Sequence, residues 1–261
     1  MNKRLAKAAV FATLLLQLGW LELADAGRNS RGQRSVIKPR VSKTRSLIGR
    51  TGYKHRLRCH SLPAFYWRLT PTLMDVQQRT TAAWLRSPLV QKLSRRAPNA
   101  IVEVYDRTEV KTDYHTAIVT EKGTVIEKRS LHKRDRIEEI SWREFDQRYA
   151  GLPTTFYRPV LTLEDFVAEN ALQSTTAHLV LRRINGWERR VSSHLLWREG
   201  QNTDSVFYNV YEEVDSLMEG ELRDEPQELQ GTKFADMTPE VTVRALNLTR
   251  LLTLRDLTNP Y

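Results

Sequence analysis

Four residues with chemical reach crowd one predicted strand end: Glu103, Asp106, Glu109 and Lys111. Three carboxylates and an amine so close together are what a metal-dependent nuclease requires. The carboxylates would hold Mg²⁺ and the lysine would position the attacking water. This is the only reading of the chain in which a cofactor enters. The bland alternative for Glu109-Val110-Lys111 is strand-edge charge that blocks edge-to-edge pairing.

Cys59-His60 is the second candidate. Catalytic thiol–imidazole pairs meet through the fold, and neighbours on an extended chain point apart. The pair is therefore read as a thiol made reactive by the surrounding positive charge, not as catalytic machinery. Cys59 is the only cysteine, which excludes an intramolecular disulfide and a thiolate zinc cluster built from this chain. No G-x-S-x-G elbow, P-loop or G-x-G-x-x-G occurs, so the simplest hydrolase and nucleotide-binding readings fall away.

A third group is cationic and aromatic. Residues 176–184 and 187–197 flank Asn185-Gly186, the dipeptide that supplies both positive-φ positions of a type I′ hairpin turn. That register sets Arg182 opposite Arg189 and Arg183 opposite Glu188. Like charges face each other, as they would around an anion. Arg182, Arg183, Arg189 and Arg190 about Trp187 then form a finger suited to phosphate contact and base stacking. The same register puts His178 and His194 on opposite faces, so the two cannot share a metal ion. No metal site is expected.

Charge along the chain sorts these candidates. The formal net charge of +10 divides as about +1 over residues 1–25, +12 over 26–74 and −3 over 75–261. No acid lies between Asp25 and Asp75. Arg28, Arg31, Arg34, Lys38, Arg40, Lys43, Arg45, Arg50, Lys54, Arg56 and Arg58 make a polybasic arm before a slightly acidic body. Such an arm seeks a polyanion: nucleic acid first, or an anionic envelope or membrane surface. The leading expectation is thus a non-enzymatic, polyanion-binding protein. A metal-dependent nuclease and an exported structural or interaction protein are the alternatives.

The elements that must position these residues follow from pattern. Lys3, Arg4 and Lys7, an uncharged stretch over 8–20 and the small-x-small Ala24-Asp25-Ala26 read as a signal peptide cut before Gly27. Secretion or a periplasmic destination is expected, with mitochondrial import the competitor. No transmembrane span is expected in the mature chain. Residues 27–60 read as a disordered arm or linker and 61–261 as one α+β domain. Its antiparallel sheet is expected from hairpins at about 100–129, turning at Lys122-Gly123, and at 176–211. A helix through Met74, Val76, Trp84 and Leu85 is predicted to break at Pro88 and resume over 89–96. Ser141 with Glu144, Thr162 with Asp165, and Thr238-Pro239 open capped helices. An acidic loop is expected near 212–237. Asn247-Leu248-Thr249 spells a glycosylation sequon but falls inside the last predicted helix.

Overall fold

The computed structural model describes residues 37–50, 57–105, 114–129, 135–197, 204–223 and 236–259. Alternation of β-branched residues yields six strands: β1 Val90–Leu93, β2 Ile101–Tyr105, β3 Tyr114–Val119, β4 Val125–Lys128, β5 Ile137–Ile140 and β6 Thr154–Pro159. They form one antiparallel sheet in the order β1-β6-β2-β3-β4-β5. β3 and β4 are joined through Gly123, whose φ of +79° closes the tight turn expected there. Their register pairs Ile118 with Ile126 and Val119 with Val125.

Eight helices complete the fold among the described residues: α1 Val41–Arg45, α2 Ser61–Tyr66, α3 Gln78–Arg86, α4 Trp142–Arg148, α5 Leu163–Glu169, α6 Thr176–Trp197, α7 Asp204–Glu219 and α8 Pro239–Thr258. Three predicted caps are in place. Ser141 accepts from the Glu144 amide at 3.1 Å, Thr162 from Asp165 at 3.0 Å and Thr238 from Val241 at 3.3 Å. On one sheet face, Ile101, Ile118, Ile126 and Ile137 pack with Leu62, Trp84, Leu85 and Leu246 from α2, α3 and α8. On the other, Val102, Val104, Ala117, Val119 and Val125 pack with Phe145 of α4. Each large apolar side chain buried in this way stabilises the fold by about 1.5–3 kcal/mol relative to exposure.

Residues 176–211 correct the expected hairpin. Thr176–Trp197 is one continuous helix, and residues 205–211 lie within α7. Ala177, Val180, Leu181, Ile184, Trp187 and Val191 recur at helical, not alternating, spacing, and all are buried. Val180, Ile184, Trp187 and Val191 pack with Val210, Val214 and Leu217 of α7 and with Leu251 and Leu254 of α8. Asn185 has no turn to make. Its side chain accepts from Arg250 at 2.6 Å and donates to Glu164 at 3.0 Å.

Three further expectations change. Residues 89–96 do not resume a helix; they contribute β1, paired to β6. The expected acidic loop is helical as far as Glu219, and residues 224–235 lie outside the described residues. Disorder does not extend over residues 37–50, because Ile37, Val41, Leu47 and Ile48 pack on the core. Backbone bonds run from Gly49 to the Ile137 carbonyl at 2.8 Å and from Ile137 back to Arg50 at 2.9 Å. Residues 1–26, the expected targeting segment, lie outside the described residues.

Candidate active site

Cys59 sits in a turn that is pinned from both sides. Ser61 Oγ accepts from the Arg58 amide and from the Val76 amide, both at 3.1 Å, while the Ser61 amide bonds the Arg58 carbonyl at 3.1 Å. The Arg58 guanidinium pairs with Asp75 at 3.2 Å. Cys59 is held partly exposed between half-buried Arg58 and buried His60.

Two imidazoles face its sulfur. His60 is buried, with both ring nitrogens 3.7 Å from Sγ, and its Nδ1 is 3.0 Å from the Thr116 hydroxyl on β3. The equal distances place the sulfur equidistant from the two nitrogens, off either lone-pair direction. His115, the residue before Thr116, lies close enough to the thiol for each to stabilise the other's charged form. Its Nε2 donates to Glu127 Oε2 at 2.8 Å. His115 thus reaches Cys59 through the fold, from a strand remote in sequence.

Glu127 is fully buried and accepts from three residues. Tyr149 OH shares Oε2 with His115 at 3.0 Å, and Arg148 Nη1 bonds Oε1 at 2.7 Å. The Tyr149 ring also stacks on the His115 ring, with centroids 4.9 Å apart and planes 19° apart. Arg148 is itself fixed by Glu138 and by Glu144 at 2.6 Å. A carboxylate, a stacked phenol and a guanidinium therefore fix the tautomer and the plane of one imidazole.

The electrostatics favour the ion pair. Burial alone would push the Cys59 thiol up. The His60 charge, then hydrogen bonds from His115 and His60, outweigh it and hold the thiol well below its ordinary 9.0. Burial would lower His115, but its bonds to Cys59 and Glu127 raise it to about 9. Burial likewise opposes the Glu127 carboxylate, which His115, Tyr149 and Arg148 nonetheless keep below its ordinary range. Tyr149 is pushed up by burial and by the Glu127 charge, so it retains the proton it donates. Lys128, buried on the same strand as Glu127, is lowered by burial against the charges of Asp135, Cys59 and Asp75. The arrangement provides a nucleophilic thiolate, an imidazolium beside it and a carboxylate orienting the imidazolium.

The residues singled out by sequence fare differently. Asp106, Glu109 and Lys111 lie outside the described residues, and Glu103 is buried and accepts from Tyr157 OH at 2.7 Å. Among the described residues no group of three or more His, Cys, Asp or Glu is placed to hold a metal ion. The Arg–Trp finger does not form. Arg182, Arg183, Arg189 and Arg190 are exposed on α6, with Arg183 paired to Glu221 at 3.2 Å and Arg190 to Glu213 at 2.7 Å. Trp187 is buried and donates to Glu213 at 2.6 Å, so it offers no ring for stacking. Of the arm, Arg28, Arg31, Arg34, Lys54 and Arg56 lie outside the described residues; Lys38, Lys43 and Arg50 are exposed; Arg45 approaches Glu139 at 3.7 Å.

Sequence reasoning set Cys59-His60 aside and passed over His115 and Glu127. The signal it could have used is the predicted 114–128 hairpin, in which a His and a Glu interrupt otherwise apolar alternation on one face. A cavity of about 240 Å³, lined in part by Val180, Leu222, Arg244 and Asn247, shares no residue with this site. Among the described residues no helix is long and apolar enough to cross a membrane. Comparison with models of known families, with curated proteins and with solved structures found no match for the chain.

Proposed function

We propose that this protein is a cysteine-dependent acyl-transfer enzyme, with Cys59 the nucleophile, His115 the proton carrier and Glu127 its orienting carboxylate. The observation that carries this reading is the His115–Glu127 bond at 2.8 Å, in an imidazole whose proton affinity the Cys59 thiol and Glu127 both raise. Nucleophile, base and orienter in that order are the recurring requirement for covalent acyl chemistry, whatever the fold. In the first half-reaction Sγ attacks a carbonyl carbon and the S–C bond forms. The bond to the leaving group breaks, and that group takes a proton from His115. In the second, water or another acceptor adds to the thioester, gives a proton to His115 and releases the thiolate as the C–S bond breaks.

Acylation by p-nitrophenyl acetate tests this directly. The expected result is a burst of one nitrophenolate per chain, an acetyl group on Cys59 by mass spectrometry, and a rate well above that of free cysteine at the same pH. Cys59→Ser should abolish the burst, and His115→Asn should slow it about 10²–10⁴-fold. A wild-type rate no faster than that of free cysteine overturns the proposal.

A further inference from the structure

We infer that the groove between α1 and Arg68 is a binding site for a phosphate group, distinct from the Cys59 centre. It is an open groove of about 410 Å³ lined by Pro39, Arg40, Val41, Ser42, Lys43 and Arg68. Arg40, Lys43 and Arg68 are cationic, Ser42 brings a hydroxyl, and no acidic residue is among them.

The two guanidiniums are fixed rather than loose. Arg40 Nη1 donates to the Phe65 carbonyl at 3.1 Å and to the Thr70 carbonyl at 2.9 Å, and its guanidinium lies 4.7 Å from the Phe65 ring centroid. Arg68 Nε donates to the Lys38 carbonyl at 3.1 Å. Its backbone has φ +63°, a region that a residue with a side chain seldom occupies. Burial and then the Arg68 charge both disfavour the protonated Arg40, with Glu164 opposing as the smallest of the three influences. Nearby arginines are treated otherwise: Arg58 has Asp75 and Arg45 has Glu139. Two anchored arginines and a lysine in one lining, with no carboxylate among them, are complementary to a multiply charged anion that accepts from several donors. Phosphate has that charge and shape. Two sources share the chemistry: a small phosphate ester, or the backbone of a nucleic acid drawn to the acid-free run from residue 26 to 74.

The test uses the full chain, inorganic pyrophosphate by calorimetry and a labelled single-stranded oligonucleotide by anisotropy. Arg68→Asn removes the charge while keeping a residue that tolerates positive φ, so the fold is retained and its melting temperature serves as the control. Lys43→Gln removes a second charge, and Lys92→Gln removes an equal charge from exposed β1 as a comparison. The expected result is a pyrophosphate affinity weaker by about tenfold or more in the first two variants and unchanged in the third. If the oligonucleotide weakens in the same two variants, with a salt slope shallower by about 0.7 for each phosphate no longer neutralised, the source is a nucleic-acid backbone. If pyrophosphate binding falls and oligonucleotide binding does not, the source is a small phosphate ester. The inference is overturned if the wild type binds neither probe, if both variants bind as wild type, or if Lys92→Gln weakens binding equally. None of these readouts depends on Cys59.

Discussion

Glu127→Gln is the sharpest perturbation of the proposed centre. The substitution keeps size and shape but removes the charge that faces His115 at 2.8 Å. A hydrogen bond to a charged group contributes about 1.5–3 kcal/mol, roughly one to two powers of ten in a protonation equilibrium. His115 should therefore hold its proton less firmly, and the thiolate, which His115 supports after the His60 charge, should form at higher pH. The assay is the second-order rate of Cys59 alkylation by iodoacetamide, followed by mass spectrometry as a function of pH. In the wild type the reactive form should persist well below the ordinary thiol range. In Glu127→Gln the midpoint should rise, by at most about 1–2 pH units, since the His60 charge remains. Tyr149→Phe removes one neutral donor and should move the midpoint the opposite way or by less, since it leaves the charge in place. Circular dichroism establishes that each variant is folded, since Arg148 keeps Glu138 and Glu144. A folded Glu127→Gln protein with an unmoved midpoint would refute the idea that Glu127 supports the ion pair.

The pair also fixes how stability varies with pH. His115, raised from 6.5 to about 9, contributes stability that is full below 6.5 and is lost as pH rises through 9. Cys59, lowered from 9.0, contributes stability that is full above 9.0 and is lost as pH falls through its folded value. The two windows run in opposite directions, so where they overlap the slopes of His115 and Cys59 offset each other. Urea unfolding of Cys59→Ser should instead show stability declining with rising pH above 6.5, because only the support of His115 by Glu127 remains. Gly186→Ala should stabilise the protein by about 0.5–1 kcal/mol, since nothing lies within 4 Å of the added carbon in mid-helix; a lower melting temperature would restore the hairpin. Arg250 bonds Glu188 at 2.9 and 2.7 Å, both side chains being buried. Arg250→Met should cost about 3–5 kcal/mol in urea unfolding, and Glu188→Met in the same chain should recover most of it.

Much of the fold was legible because the responsible signals are local. Ser141, Thr162 and Thr238 cap where their spacing requires, and Gly123 turns the 114–128 hairpin. Asn185-Gly186 misled because the dipeptide outweighed the apolar residues at helical spacing around it. A turn needs strands that pair, and those residues bury only as a helix. The acidity of residues 212–237 suggests a loop for a similar reason, although Val214 and Leu217 carry a helical stripe into it.

The candidate site was only half legible. Pairing 114–120 with 124–128 about Lys122-Gly123 already sets His115 and Glu127 near each other on one face. Cys59 joins them through tertiary packing of the 58–61 turn, which no local spacing records. The polybasic segment was visible as charge but not as structure, because Arg40, Arg45 and Arg58 each serve an interaction within the fold.

The bonds of Gly49 and Arg50 to Ile137 set a limit on where the chain can be shortened. β5 is an edge strand, and this backbone caps the start of its open side. Removal of residues up to 60 would strip a structural piece of the domain and bare a strand edge to other chains. Fragments that lack residues 37–50 are therefore expected to aggregate rather than fold.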